Sequence, residues 1–147
     1  MLFSKQQEFS DAQNLTATGA STNTIDLGAT GTVLGAPAAL VRDIGKGKPI
    51  PIVVKLDAAA GGTSPTLIVT VEIDTTDAFS SATVVATSPT VAGGAAGDEV
   101  WMDVYLPEGT NERYMRLNYT LGGTSPDYTL NAGIVMARTS NYTVPGA

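Results

Sequence analysis

With no histidine and no cysteine in the chain, the side chains left to do chemistry are carboxylates, hydroxyls and a few lysines. Serine and cysteine hydrolases need a base that accepts a proton near neutral pH, and histidine normally fills that part. Lysine can replace it, but no Ser-x-x-Lys spacing occurs and no lysine follows Lys55. Asp74 with Asp77 and Asp98 with Glu99 are paired carboxylates whose oxygens could bind calcium, yet no alternating Asp, Asn and Gly loop accompanies them. Acidic residues at strand ends commonly cap turns instead. Zinc finds no nitrogen or sulfur ligand. Gly45-Lys46-Gly47-Lys48 resembles a phosphate loop only in part, because a Walker loop needs glycine where Arg42 stands and Ser or Thr where Pro49 follows. The expectation is a chain that is not an enzyme and holds no cofactor and no metal.

Binding surfaces are the better prospect. Arg42, Lys46 and Lys48 form a basic turn that could meet an acidic partner or the acidic half of a neighbouring copy, or could simply be solvated. Trp101, Asp103 and Tyr105 alternate along one strand face. An aromatic pair flanking a carboxylate could hold a sugar ring, and Trp and Tyr are equally favoured at protein interfaces. Near the start, Leu2, Phe3 and Phe9 are apolar anchors in an otherwise polar stretch.

The elements that must position these residues read as strands. From Pro49 to Asp57, Ile50, Ile52, Val54 and Leu56 share one face, with Val53, Lys55 and Asp57 on the other. Thr66 to Asp74 repeats the pattern, Leu67, Val69, Val71 and Ile73 facing one way and Ile68, Thr70, Glu72 and Asp74 the other. Further runs at 24–27, 40–44, 82–87, 99–106, 113–121 and 128–137 bring the total to about eight strands, with no sustained helical period. The prediction is an all-β, antiparallel β-sandwich, jelly-roll-like, spanning 21–147. Residues 1–20 fit neither period and read as an N-terminal arm, or as a first strand folded onto the body. GGTSP occurs twice, at Gly61 to Pro65 and Gly122 to Pro126, each between strand-like runs, which predicts two equivalent hairpin turns.

Bulk properties narrow the partners. The net charge of −6 argues against nucleic acid, whose binding depends on phosphate neutralisation by Lys and Arg. The start, MLFSKQQEFSDA, has no apolar core of signal-peptide length, and nowhere do about 18 consecutive apolar residues occur, so neither export by its own signal nor a membrane is expected. The Asn-x-Thr sites at Asn14, Asn118 and Asn141 are ordinary for a threonine-rich chain.

Four strings carry a likeness: SDAQNLTATGASTNTIDLG from Ser10 to Gly28, RDIGKGKPIPIVV from Arg42 to Val54, ERYMRLNYTL from Glu112 to Leu121, and NAGIVM from Asn131 to Met136. In these the chain resembles the capsid cement, or decoration, proteins of short-tailed double-stranded DNA phages, the family typified by the Bordetella phage cement protein. That resemblance implies a jelly-roll-like protein on the outer surface of the virion capsid, made in the host cytoplasm, that ties adjacent major capsid proteins together. The partners it implies are the major capsid protein and the chain itself, as a homo-oligomer, dimer or trimer. Contact residues are then expected at Leu2, Phe3 and Phe9 in the arm, Arg42, Lys46 and Lys48 in the basic turn, and Trp101 and Tyr105 on a capsid or copy-to-copy face. A sugar-binding sandwich module of a virion fibre or host-attachment protein is the alternative.

Overall fold

The computed structural model describes residues 4–135, and for residues 99–104 the backbone alone. Nine strands and no helix make up the described residues: β1 Glu8–Leu15, β2 Gly19–Ala20, β3 Ile25–Asp26, β4 Pro51–Leu56, β5 Gly61–Asp74, β6 Thr83–Thr87, β7 Val91–Ala92, β8 Glu99–Tyr105 and β9 Tyr114–Ile134. Every pairing is antiparallel and all nine strands belong to one continuous sheet. The sheet folds on itself because β9 serves both halves. Its first part pairs with β5 on one side and with β2 and β3 on the other; its last part lies between β1 and β4, and β4 continues to β8.

One apolar cluster fills the space between the halves. Leu67, Val69, Val71 and Ile73 of β5 are buried, as their alternation requires, and so are Met115, Leu117 and Tyr119 of β9. From the other half come Phe9, Ile52, Val54, Leu56, Tyr128, Leu130 and Ala132. Val53, expected to face solvent, is buried as well, on a strand flanked by neighbours along both edges. The all-β sandwich is therefore present, in a form where two strands turn the corner between layers.

That corner is built by the repeated GGTSP. Neither copy is a hairpin turn. The two copies lie opposite each other within the β5–β9 ladder, Thr63 facing Thr124, Gly61 facing Asp127 and Thr66 facing Gly122, with register shifts between. Gly62 and Ser64 have positive φ, and so do their equivalents Gly123 and Ser125, which makes each copy a bulge. A Cβ on Gly62 would run into the Ser125 carbonyl, and one on Gly123 into the Ser64 carbonyl. The arrangement is a local two-fold of backbone against backbone. It merges the expected strands 113–121 and 128–137 into the single β9.

Two further expectations change. Of the two readings of the N-terminal stretch, residues 8–15 take that of a first strand folded onto the body and not that of an arm, and Phe9 is wholly buried, so it is a core residue and not a surface contact. Bulges hide this strand from a reading by period: register shifts flank Ser10, and Ala12 has φ 44°. Residues 40–44 form no strand; the backbone of Leu40 donates to Gly31 O and that of Ile44 to Thr110 O.

A polar chain then crosses the core. The Ser10 hydroxyl donates its one proton to Gln13 Oε1 (2.7 Å), so in the 2.7 Å contact with Tyr119 the phenol is the donor. Gln13 in turn receives Thr22 N and donates to Ala20 O, tying β1 to the segment that edges β9. Burial pushes the Tyr119 phenol well above its ordinary pKa. Tyr128 is also fully buried, but its hydroxyl makes no hydrogen bond among the described residues.

Gly62→Ala and Gly123→Ala should each destabilise by more than about 1 kcal/mol, and by similar amounts, since both place a Cβ in the left-handed region against a facing carbonyl. Gly31→Ala, with open space around it, should be close to neutral in the same urea denaturation series. Tyr119→Phe should cost about 1 kcal/mol by loss of a satisfied buried hydrogen bond, whereas Tyr128→Phe should cost markedly less. Equal losses for the two tyrosines would contradict this assignment of partners.

Candidate functional site

Between β3 and β4 the chain runs from Leu27 to Ile50 without a strand, far longer than the roughly 12–15 residues at which irregular connections become unusual and are often functional. Several fastenings hold it to the body. Leu27 N donates to Arg113 O (2.9 Å), Ile44 N to Thr110 O (3.0 Å) and Leu106 N to Ile50 O (3.1 Å). The Asp43 carboxylate accepts Gly45 N at 3.1 Å and Gly109 N at 3.2 and 3.1 Å, clamping this connection to the one that precedes β9. Gly45 lies so close to the Pro107 carbonyl that no Cβ would fit.

Arg42 is half-buried and donates through Nη2 to the carbonyls of Leu27 (3.0 Å) and Gly28. The guanidinium thus closes the base of the connection as a loop. Beside it Arg113 grips Asp26 with two hydrogen bonds of 2.7 Å, Nε to Oδ1 and Nη2 to Oδ2, and its guanidinium sits 4.8 Å from the centre of the Tyr114 ring. The Arg113 hydrogen bond above all, then the Gly28 amide, holds the Asp26 carboxyl down at about 2 against an ordinary 3.8. An open depression of about 290 Å³ lies here, lined by Gly28, Ala29, Thr30 and Arg42 from the loop and by Thr75, Asn111, Glu112 and Arg113 from the ends of β5 and β9.

The residues expected to make contacts do not gather in one place. Leu2 and Phe3 lie outside the described residues, and Phe9 is interior. Arg42, Lys46 and Lys48 do share the Leu27–Ile50 connection; Lys46 and Lys48 are exposed and make no ion pair among the described residues. Trp101 lies on β8 opposite Val54, its side chain beyond what is described, and Tyr105 ends that strand opposite Pro51, 37% exposed. One member of each carboxylate pair acts as a turn former. Asp74 accepts Ser81 N and Thr76 N, which lower its pKa, and Asp98 accepts Ala95 N. Among the described residues no group of three or more acidic side chains comes together to hold a metal ion.

One feature escaped the reading by period: Val33, Leu34, Leu40 and Val41 are large apolar side chains held in solvent on this same connection. The signal was available, since no charged residue stands between Ala29 and Val41.

The Bbp16 family model matches residues 9–138, from the first buried aromatic of β1 to beyond the end of β9. The chain belongs to the Bbp16 family. The name is that of a Bordetella phage protein, and the family is one of phage proteins, in agreement with the origin that the sequence resemblance implies. No curated protein matches the chain. The Bbp16 match takes in both GGTSP segments, the Asp26–Arg113 pair and the whole Leu27–Ile50 connection.

Because the folded pKa of Asp26 is depressed, the stability it contributes is complete above the ordinary value of 3.8 and is lost as pH falls towards about 2. Asp26→Asn should therefore be less stable than the parent at neutral pH, modestly so for an exposed pair. The gap should close across that acid window when urea midpoints of the two proteins are compared at a series of pH values.

Proposed function

We propose that this Bbp16 family protein is a cement protein of the phage head. It binds the outer surface of the assembled shell, bridges adjacent major capsid proteins and stabilises the shell against the outward pressure of packaged DNA. The observation that carries this reading is the family match over residues 9–138, joined to the cement-protein strings at Ser10–Gly28, Arg42–Val54 and Glu112–Leu121. It acts without catalysis, as a homo-oligomer, dimer or trimer, on the outside of the virion. A chain of net charge −6 is better suited to that exterior than to the DNA-filled interior.

The mechanism is linkage. A ligand that binds the assembled lattice and not its separated subunits stabilises the lattice by RT ln(1 + c/Kd), which grows with the logarithm of its free concentration c once that exceeds Kd. Individual contacts need not be strong, since bridging several subunits raises avidity by roughly 10² to 10⁴ through effective concentration. The fold supports this use: two layers share β5 and β9 around one core, so little body entropy is lost on docking.

Purified protein added to heads that lack it should co-sediment with them and raise the temperature at which they release DNA. Failure to co-sediment would reject the cement reading. Glycan binding by the isolated chain, abolished by Trp101→Ala, would replace it with the sugar-binding alternative.

A further inference from the structure

The Leu27–Ile50 connection holds large apolar side chains in water. Leu34 and Val41 are essentially fully exposed, at 102% and 94%, while Val33 and Leu40 are 54% and 56% exposed. Single exposed apolar residues are ordinary, but four on one charge-free run from Ala29 to Val41 form a concentrated apolar surface. The run is also shaped. Leu40 N donates to Gly31 O (2.8 Å) and Ala36 N to Val33 O (2.9 Å), and Arg42 fastens the base of the loop to Leu27 and Gly28. A loop already held in one form loses little entropy when it docks.

Charge points to the kind of surface it meets. Arg42, Lys46 and Lys48 against the single Asp43 leave this connection net positive in a chain of net charge −6. The Asp43 carboxylate is spent on the amides of Gly45 and Gly109, so it faces none of the three cations as an ion-pair partner. Arg42 faces the Asp26 carboxylate and the carbonyls at the base of the loop, so the positive charge left to meet a partner is that of Lys46 and Lys48, which make no ion pair among the described residues.

We propose that residues 29–41 are the docking element by which the chain grips its shell partner. The loop inserts Val33, Leu34, Leu40 and Val41 into an apolar cleft of that different protein, and carboxylates on the rim of the cleft face Lys46 and Lys48. This rests on the shell-binding reading and adds to it the element used and the chemistry of the surface that receives it. A second copy fits less well. Packing the loop on its own symmetry mate would bring two sets of these cations together, and packing it on another part of a copy is a heterologous contact that tends to propagate. An anionic membrane fits less well too, because the chain as a whole carries the same sign of charge.

The test uses the full chain, its Leu34→Ser/Val41→Ser variant and its Lys46→Glu/Lys48→Glu variant, with heads lacking this protein as the probe. The serine variant should keep its unfolding midpoint yet bind heads at least roughly tenfold more weakly. The charge-reversed variant should weaken binding most at low salt. Both should sediment like the parent when free in solution. Head binding by the serine variant equal to that of the parent overturns the proposal while leaving the cement reading intact. A parent chain that does not bind heads removes both. Dissociation of a free oligomer by the serine substitutions would make a second copy the occupant. Flotation of the parent, but not the serine variant, with phosphatidylserine vesicles would make it a lipid surface; either result overturns the assignment.

Discussion

The two facing GGTSP segments set the terms for the remaining structure, because they let a single strand belong to both layers. A straight β9 would keep all its partners in one open sheet, with an apolar face left in water. Bulges with positive φ at Gly62, Ser64, Gly123 and Ser125 bend β5 and β9 together, at the one place where their backbones approach too closely for a Cβ. Once that bend exists, Met115, Leu117 and Tyr119 face the same interior as Tyr128, Leu130 and Ala132. The core follows from the corner, and the Tyr119–Ser10–Gln13 chain then fixes β1 across it.

How much of this was legible depended on whether a residue's partner lay nearby in sequence. The alternation of Leu67, Val69, Val71 and Ile73 was readable because a strand with one buried face writes period two into its own residues. The GGTSP segments carry the chemistry of a turn, and a left-handed glycine serves a hairpin and a bulge equally well. What decides between them is the opposing strand, and here the opposing strand is the other copy some sixty positions away. Residues 8–15 stayed undecided between arm and strand for a related reason: bulges put Phe9 and Ser10, adjacent in sequence, both in the interior, which no simple period describes.

The site was half legible. Arg42, Lys46 and Lys48 stood out as a basic turn from composition alone, and they do lie on one connection. The apolar run beside them was misread at its end, where Leu40 to Ile44 has the β-branched and aliphatic content of a strand. Its backbone groups are satisfied otherwise, by Gly31 and Thr110, and the side chains of Arg42 and Asp43 bind backbone of other segments instead of lining a sheet face. A strand-like segment whose backbone groups are satisfied outside a ladder is a loop. Trp101 drew attention as one of an aromatic pair flanking Asp103, whereas the exposed Leu34 and Val41 did not, because composition cannot distinguish an apolar residue in the core from one held outside it.

Where the loop is fastened bears on what it can transmit. Leu27 is bonded to the Arg113 carbonyl, Asp26 to the Arg113 guanidinium, and Asp43 and Ile44 to Gly109 and Thr110, all just ahead of β9. A pull on the loop therefore enters the body at the start of the strand that runs through both layers. From there it spreads to β5 by a long ladder and to β1 and β4 by the far end of β9, rather than peeling away one edge. An anchor placed on β6 or β7 would load only strands paired to β5. A contact made through this loop would therefore be opposed by the whole core and not by one edge strand alone.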